Sequence, residues 1–301
     1  MNADELKKRL KQLERRRTGK GPLSPSRETN AAPDDDLRVI AVPELPEAFH
    51  RCDRPRIEQI APGRVVEVGD GAYWLIERRL GEIDAACAPF VGRYGELLSR
   101  EAIVVPDGTS PWLGALVESD PRRVLYLDIE TTGLSAMPLF LVGTMQFDGG
   151  DFAIRQFFAR NYAEERHLLA DLAGYLTGFE MLVTYNGKSF DLPYIRDRAA
   201  TCRLEIAWPP RHLDLLHEAR RRWGRRLPNC KLTTVEQYIC CRRRVDDIPG
   251  SEIPAAYHEF VHTEDASTMR RVLHHNALDL LTMAEIALFM LVGRNDWGQD
   301  R

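Results

Sequence analysis

Val124-Leu125-Tyr126-Leu127-Asp128-Ile129-Glu130-Thr131-Thr132-Gly133 reads as a buried strand that runs out into two carboxylates and a tight polar turn. Strand side chains alternate between faces, so Asp128 and Glu130 project to one side while Leu125, Leu127 and Ile129 line the other. Apolar residues on both faces of 124–127 place this strand inside a covered sheet. Two acids on such a strand repel each other unless something positive sits between them, and a hard divalent cation is the usual partner of an all-oxygen ligand set. Asp-x-Glu alone is equally an Asp and a Glu fraying into solvent at a strand end, so the reading depends on further acids in similar settings.

Two follow. Met181-Leu182-Val183-Thr184-Tyr185-Asn186-Gly187-Lys188-Ser189-Phe190-Asp191 is a second apolar strand, a glycine turn and an acid near the start of a helix expected over Leu192–Ala200. Helix capping by the macrodipole would also account for Asp191. Later, His274-His275-Asn276-Ala277-Leu278-Asp279 opens a strongly apolar helix running to about Val292, with Leu280, Met283, Ala284, Ala287 and Leu288 at core-packing intervals. Asp279 is expected in its first turn, again a position that capping alone would explain.

As an ordered set, Asp-x-Glu, Asn-x-x-x-Phe-Asp and the late His-containing Asp motif resemble the DnaQ-like 3′→5′ exonucleases of the four-acid class, which carry an RNase H-like fold. The resemblance covers roughly residues 121–290. Tyr185–Asp191, His212-Leu213-Asp214-Leu215-Leu216 and Asp247-Ile248-Pro249-Gly250 look like the YprB-type branch of that superfamily. The resemblance implies Asp128, Glu130, Asp191 and Asp279 as ligands of two Mg²⁺ or Mn²⁺ ions. It also implies a first strand that opens an antiparallel meander. Thr131, Thr132, Asn186, Lys188 and Phe190, beside the acids in these motifs, are expected to contact substrate. Related enzymes carry a general base as His five residues before the last acid, or as Tyr four before it. His274 has the first spacing and His275 stands at the second position. Four residues along a helix is about 40° from the same face and five is about 140°, so His274 serves only if the helix starts after it, with Asn276 as N-cap. A continuous helix favours His275.

The meander has independent support. Leu139–Phe147 and Phe152–Phe158 flank Asp148-Gly149-Gly150, a short hairpin connection. Helical spacing over Glu164–Thr177 and the strand Met181–Tyr185 follow, an α/β order that suits a mixed sheet with helices on both faces. Upstream, Gly63–Glu77 alternates around Gly69-Asp70-Gly71 as a β-hairpin, and helical spacing follows over Ile83–Leu98. The expected organisation is a disordered basic arm over 1–37, a small β-rich extension over 38–120 packed against the catalytic sheet, an RNase H-like exonuclease domain over 121–292 and a tail over 293–301. Trp112, in Ser110-Pro111-Trp112-Leu113, is expected as a packing anchor rather than a base-stacking platform.

At 301 residues, the chain can bury one good-sized core and an appendage. Its 44% hydrophobic content contains no run long enough for a membrane span, and its six cysteines lack Cys-x-x-Cys spacing. Adjacent Cys240 and Cys241, read inside a helix, cannot easily bridge; free thiols suit a reducing cytoplasm. The net charge of −4 excludes a general polyanion binder. Residues 196–244 nevertheless hold thirteen Arg or Lys against five Asp or Glu, concentrated at 220–226 and 242–244. Arg221, Arg222 and Arg225 are the expected phosphate contacts; a solvated helical face, with Glu218 pairing Arg222, is the alternative. The expected activity is 3′→5′ exonucleolytic hydrolysis of single-stranded DNA or RNA. A structure-selective endonuclease on the same fold, or a nucleic-acid-binding module without turnover, are the alternatives.

Overall fold

The computed structural model describes residues 37–44, 54–98, 110–133 and 137–291. Apart from Leu37, the expected arm lies outside these residues, as does the expected tail. The strands are β1 (Arg38–Ala41), β2 (Arg64–Val68), β3 (Gly71–Arg79), β4 (Val124–Thr131), β5 (Leu139–Phe147), β6 (Phe152–Phe158), β7 (Met181–Thr184), β8 (Arg211–Asp214) and β9 (Arg242–Val245). The principal helices are α1 (Ala88–Leu98), α2 (Pro111–Glu118), α3 (Glu165–Leu176), α4 (Asp191–Thr201), α5 (Leu215–Trp223), α6 (Ile253–Thr263) and α7 (Met269–Leu291).

Seven strands form one sheet in the order β2-β3-β6-β5-β4-β7-β8. The strand quoted at the outset, β4, is central. It pairs antiparallel with β5, and β5 with β6, across the Asp148–Asp151 turn. On its other side it pairs parallel with β7, and β7 with β8. This is the RNase H-like arrangement: a meander followed by parallel strands, with helices on both faces. Val124 and Tyr126 pack into a core shared with α2, α5 and the C-terminal part of α7. Leu125, Leu127 and Ile129 pack into a second core with α3, α4 and α6. The alternation read from the sequence thus assigns each side chain of β4 to its layer.

The N-terminal hairpin is no appendage. β3 pairs antiparallel with β6 from Trp74↔Phe158 to Arg79↔Ala153, so β2 and β3 extend the main sheet. A second, two-stranded sheet pairs β1 with β9 in parallel. Residues on either side of the expected boundary at 120 therefore share one hydrogen-bonded sheet, a long-range pairing that hairpin periodicity alone does not reveal.

The late helix also differs from expectation. It begins at Met269, so His274, His275, Asn276 and Asp279 all lie inside one continuous helix, and Asp279 is well beyond the first turn. Met269, Val272 and Leu273 are fully buried and extend the apolar stripe upstream of the polar pair that looked like a boundary. Cys240 ends a π-turn and Cys241 adopts a left-handed conformation before β9, so the two do not share a helix. Among the described residues no helix is long and apolar enough to cross a membrane.

Candidate active site

β7 is short and parallel to β4, and its last paired residue opposite β4 is Val183, beside Tyr126. The loop 185–190 therefore emerges beside the C-terminal half of β4, and Asp191, first residue of α4, joins Asp128 and Glu130 at one edge of the sheet. Asn186 takes a left-handed conformation (φ 70°), and a Cβ at Gly187 would lie 2.3 Å from Thr184 Oγ1, so this turn needs glycine there. Buried Asp214 secures the loop, accepting from the Asn186 N–H at 2.9 Å and the Lys188 N–H at 3.0 Å while also capping α5 through Leu216 N–H. His212 and Thr184 pair at 2.9 Å beneath it, and burial lowers the His212 pKa to about 4. The His212–Asp214 run is thus a support for the Asn186–Asp191 motif.

α7 supplies the rest. Asp128, Gly143 and Gln156 stand side by side on β4, β5 and β6. A Cβ at Gly143 would lie 2.0 Å from Asn276 Oδ1, so the glycine is what lets α7 press against the sheet here. Asn276, fully buried, is not an N-cap: its Nδ2 donates to Asp128 Oδ2 at 2.9 Å, and its Oδ1 accepts from Gln156 Nε2 at 2.9 Å. Gln156 Oε1 in turn accepts from Arg78 Nη2 at 2.6 Å. A hydrogen-bonded chain therefore runs from the N-terminal hairpin to the first acid of β4.

One stripe of α7 faces β9. His275 Nδ1 donates to Asp247 Oδ2 at 2.9 Å, and its Nε2 lies 3.5 Å from Asp279 Oδ2. With the proton placed on Nδ1 by Asp247, Nε2 is left as acceptor in the neutral ring. Burial lowers the His275 pKa, but the Asp279 charge and the Asp247 hydrogen bond outweigh it and the net shift is upward. His274 faces elsewhere: it is buried, neither ring nitrogen has a hydrogen-bond partner, and desolvation lowers its pKa to about 4. It is a neutral core residue, which corrects the alternative that required the helix to begin at Asn276.

Of the 242–244 run, Arg242 and Arg244 are turned inward, while Arg243 is exposed. Arg242 is buried against Glu236 (2.5 Å), Glu285 (2.8 Å) and Thr282. Arg244 reaches Asp279 (2.5 Å), Glu236 (2.7 Å) and Asp247 (3.3 Å). Alternate strand residues share a face, so both guanidiniums serve acids of α7 and of the π-turn. Arg221 pairs with Glu218, and Arg222 Nη1 donates to Met290 O at 2.6 Å near the end of α7. Arg225 follows α5 and has a partner of its own. Thr131 Oγ1 donates to Gly133 O and buried Thr132 Oγ1 to Pro138 O, so both hydroxyls build the turn after β4. Phe190 is partly buried and packs on Tyr194. Trp112, expected as a packing anchor, is 44% exposed.

The electrostatics of the acids are those of an under-neutralised cluster. Burial, then the charges of Asp279, Glu130 and Asp191, hold Asp128 well above the usual carboxylate range. Burial, then Asp279, Asp191 and Asp247, do the same for Glu130, with Arg244 opposing. Burial, with Asp214 and Asp279 adding to it, pushes Asp191 up to about 7 despite opposing backbone hydrogen bonds. Among the described residues no three His, Cys, Asp or Glu side chains form a closed ligand cage. The contacts explain why: Asp128 is turned toward Asn276 and Asp279 toward Arg244. The donor chemistry nonetheless fits a hard divalent cation, since the set is all carboxylate oxygen and its members feel one another's charge. A cleft of ≈ 560 Å³ lies on the β9 side of His275, lined in part by Gln237, Arg243, Arg244, Asp247 and Pro249; none of the four acids lines it.

Asn276, Asp247, Arg244 and Arg78 were not read as site residues. Asp247 stood in the Asp-Ile-Pro-Gly motif, Asn276 was weighed only as an N-cap and Arg244 only as part of a basic cluster; Arg78 carried no signal.

The chain belongs to the RNase H superfamily, whose sequence profile matches residues 125–290. It is 32% identical over 176 residues to the uncharacterized protein YprB of Bacillus subtilis (strain 168), a match covering 56% of this chain and 42% of that protein. The matched segment thus spans less than half the length of that relative. The family B DNA polymerase of the archaeon Pyrobaculum calidifontis aligns with a TM-score of 0.44 and 21% identity, over 55% of this chain and 24% of the polymerase.

Proposed function

We propose that this RNase H superfamily member is a metal-dependent nuclease that removes nucleotides from the 3′ ends of single-stranded DNA or RNA. What supports the reading is the mutual electrostatic influence of four acids, beside a histidine held in a defined orientation. Asp128 and Glu130 from β4, Asp191 from α4 and Asp279 from α7 interact across one edge, and His275, oriented by Asp247, holds Nε2 3.5 Å from Asp279.

Asp128, Glu130, Asp191 and Asp279 would hold two Mg²⁺ or Mn²⁺ ions. Such ions, when bound, supply Lewis acidity toward water and neutralise charge on a phosphodiester. The chain's own part begins with position: Asn276 and Gln156 orient the Asp128 carboxylate, and Asp214 fixes the loop that presents Asp191. His275 Nε2 accepts the proton of the attacking water, and Asp247 stabilises the resulting imidazolium across Nδ1.

The test is degradation of 3′- and 5′-labelled DNA and RNA oligonucleotides in Mg²⁺, Mn²⁺ or EDTA. Stepwise shortening from the 3′ end with metal, absent in EDTA and in Asp128→Asn, is the expected result. Internal cuts would assign an endonuclease. Binding without cleavage on every substrate would overturn catalysis in favour of an accessory module.

A further inference from the structure

Trp112 is the second helical residue of α2, and 44% of its surface is exposed. It is stiffly placed: Ser110 caps the helix by accepting from the Leu113 N–H, and Pro111 occupies the first turn. The other end of α2 sits at the start of the parallel strands, where Ala115 O accepts from Arg211 Nη1 and Ser119 Oγ lies against Met181 Sδ. α2 therefore runs antiparallel to β7 and β8, which brings Trp112 to the edge where the carboxylates lie. Leu113 and Leu116 share a core with Val124 and Tyr126, so it is also the face of the sheet to which Asp128 and Glu130 point.

Lys188 meets Trp112 there, its Nζ 5.3 Å from the ring centroid. Lys188 comes from a different element, the loop that leads to Asp191, and its backbone N–H is held by buried Asp214. An exposed indole and an exposed ammonium are thus presented together by two rigid supports beside the acids. Their mutual contact stabilises the fold little, because a cation–π pair at an exposed site is weak.

We propose that Trp112 and Lys188 form a subsite for single-stranded nucleic acid, in which a nucleobase stacks on the indole and Lys188 pairs with the adjoining phosphate. The inference rests on the nuclease reading and adds a substrate property to it. A stacking platform takes any base, because every base has a π-face, but takes it only when the base is unpaired. It selects single strands without selecting sequence, and it keeps the strand beside the acids between successive cleavages.

The test measures binding in EDTA, where cleavage does not interfere. Anisotropy of a short labelled oligothymidylate is recorded with the full chain, Trp112→Ala and Trp112→Phe, and again with an abasic strand of the same length. Trp112→Ala is expected to bind the normal strand on the order of 5- to 150-fold more weakly, the range for losing one stacked base. Trp112→Phe should keep most of the affinity. On the abasic strand the difference between full chain and Trp112→Ala should vanish, a coupling that a folding defect would not produce. Equal affinity of Trp112→Ala and the full chain, or an equal drop on both strands, overturns the subsite. Cleavage in Mg²⁺ is scored separately: binding that depends on Trp112 without cleavage sinks the nuclease reading alone, cleavage insensitive to Trp112 sinks the subsite alone, and no oligonucleotide binding sinks both.

Discussion

Arg244 Nη2 stands 2.5 Å from Asp279 Oδ1, in the midst of acids that otherwise repel one another. The same guanidinium serves Glu236 and Asp247, so one buried cation neutralises part of a cluster reaching from β9 to α7. The chain therefore carries its own partial counter-charge at the edge where divalent ions are proposed to bind, and Asp279 must exchange a guanidinium contact for metal contacts.

Replacing Arg244 by Gln leaves Asp279, Glu236 and Asp247 without this cation. Removing one partner of a buried ion pair costs about 3–5 kcal/mol, because the remaining charge stays desolvated. Denaturant unfolding of Arg244→Gln in EDTA should show a loss of that order, and excess Mn²⁺ should recover more stability in the variant than in the parent chain. An unchanged midpoint would mean that the network is compensated by water.

The raised carboxylates set a pH dependence. Asp191 titrates near 7 in the fold against about 3.8 as its ordinary value. A pKa raised on folding contributes stability that is full below the unfolded value and is lost as pH rises through the folded one. In EDTA, Asp191→Asn should therefore gain on the parent chain between about pH 4 and 7, by up to roughly 4 kcal/mol if the whole shift is realised. Thermal melts at several pH values read this difference. Metal binding draws off the same protons, so Mn²⁺ should narrow the gap and bind more tightly as pH rises. A gap that widens with acid would contradict the proposed burial.

The strands, the hairpin turn and α3 follow from two periodicities that need only local sequence. The four acids proposed as ligands stand out because their motifs occur in order. What remained hidden depends on pairing between distant segments. Gly143, Gln156 and Asn276 are individually ordinary; only the β4–β5–β6 register and the approach of α7 line them up beneath Asp128. The arginines at 242 and 244 counted toward a basic surface because a charge count cannot see Glu236, Asp279 and Glu285 across the fold. The start of α7 was misplaced because two histidines look like a polar boundary, whereas burial of His274 without partners makes it part of the helix's packed side.

Arg78 belongs to the hairpin yet connects through Gln156 and Asn276 to Asp128. Arg78→Met keeps the aliphatic stem and removes the donor to Gln156. If the chain orients Asp128, kcat should fall by roughly tenfold, equivalent to about 1.4 kcal/mol, with little change in KM. Asn276→Ala should cost more, since it removes the direct donor. A change confined to KM would place the chain outside the chemistry.

Arg222 tests the basic segment of α5. Its donation to Met290 O ties α5 to the last described turn of α7. Arg222→Ala should lower stability by about 1.5–3 kcal/mol, the range for a hydrogen bond from a charged group. Substituting Arg221, Arg222 and Arg225 together should flatten the salt dependence of oligonucleotide binding only to the extent that these groups also reach phosphate. A full salt slope combined with lost stability assigns the segment to tying helices together.

The paired histidines separate chemistry from packing most cleanly. His275→Ala removes the proposed base and the group oriented by Asp247, and turnover should fall by a factor on the order of 10²–10⁴. Metal binding should persist, because the four carboxylates remain. His274→Ala should behave oppositely: near-normal turnover with a stability loss of a few kcal/mol from the cavity it leaves. The pH profile adds a further check. Asp247 and Asp279 raise the His275 pKa, and a base works only when deprotonated, so activity should rise with pH through an acidic limb. Asp247→Asn removes one of these charges and should move that limb to lower pH while reducing the maximum rate, since the ring loses its orienting acceptor. If the limb stays in place when Asp247 is neutralised, it does not report His275. If His274→Ala abolishes turnover in a folded protein while His275→Ala does not, the base has been assigned to the wrong face of α7.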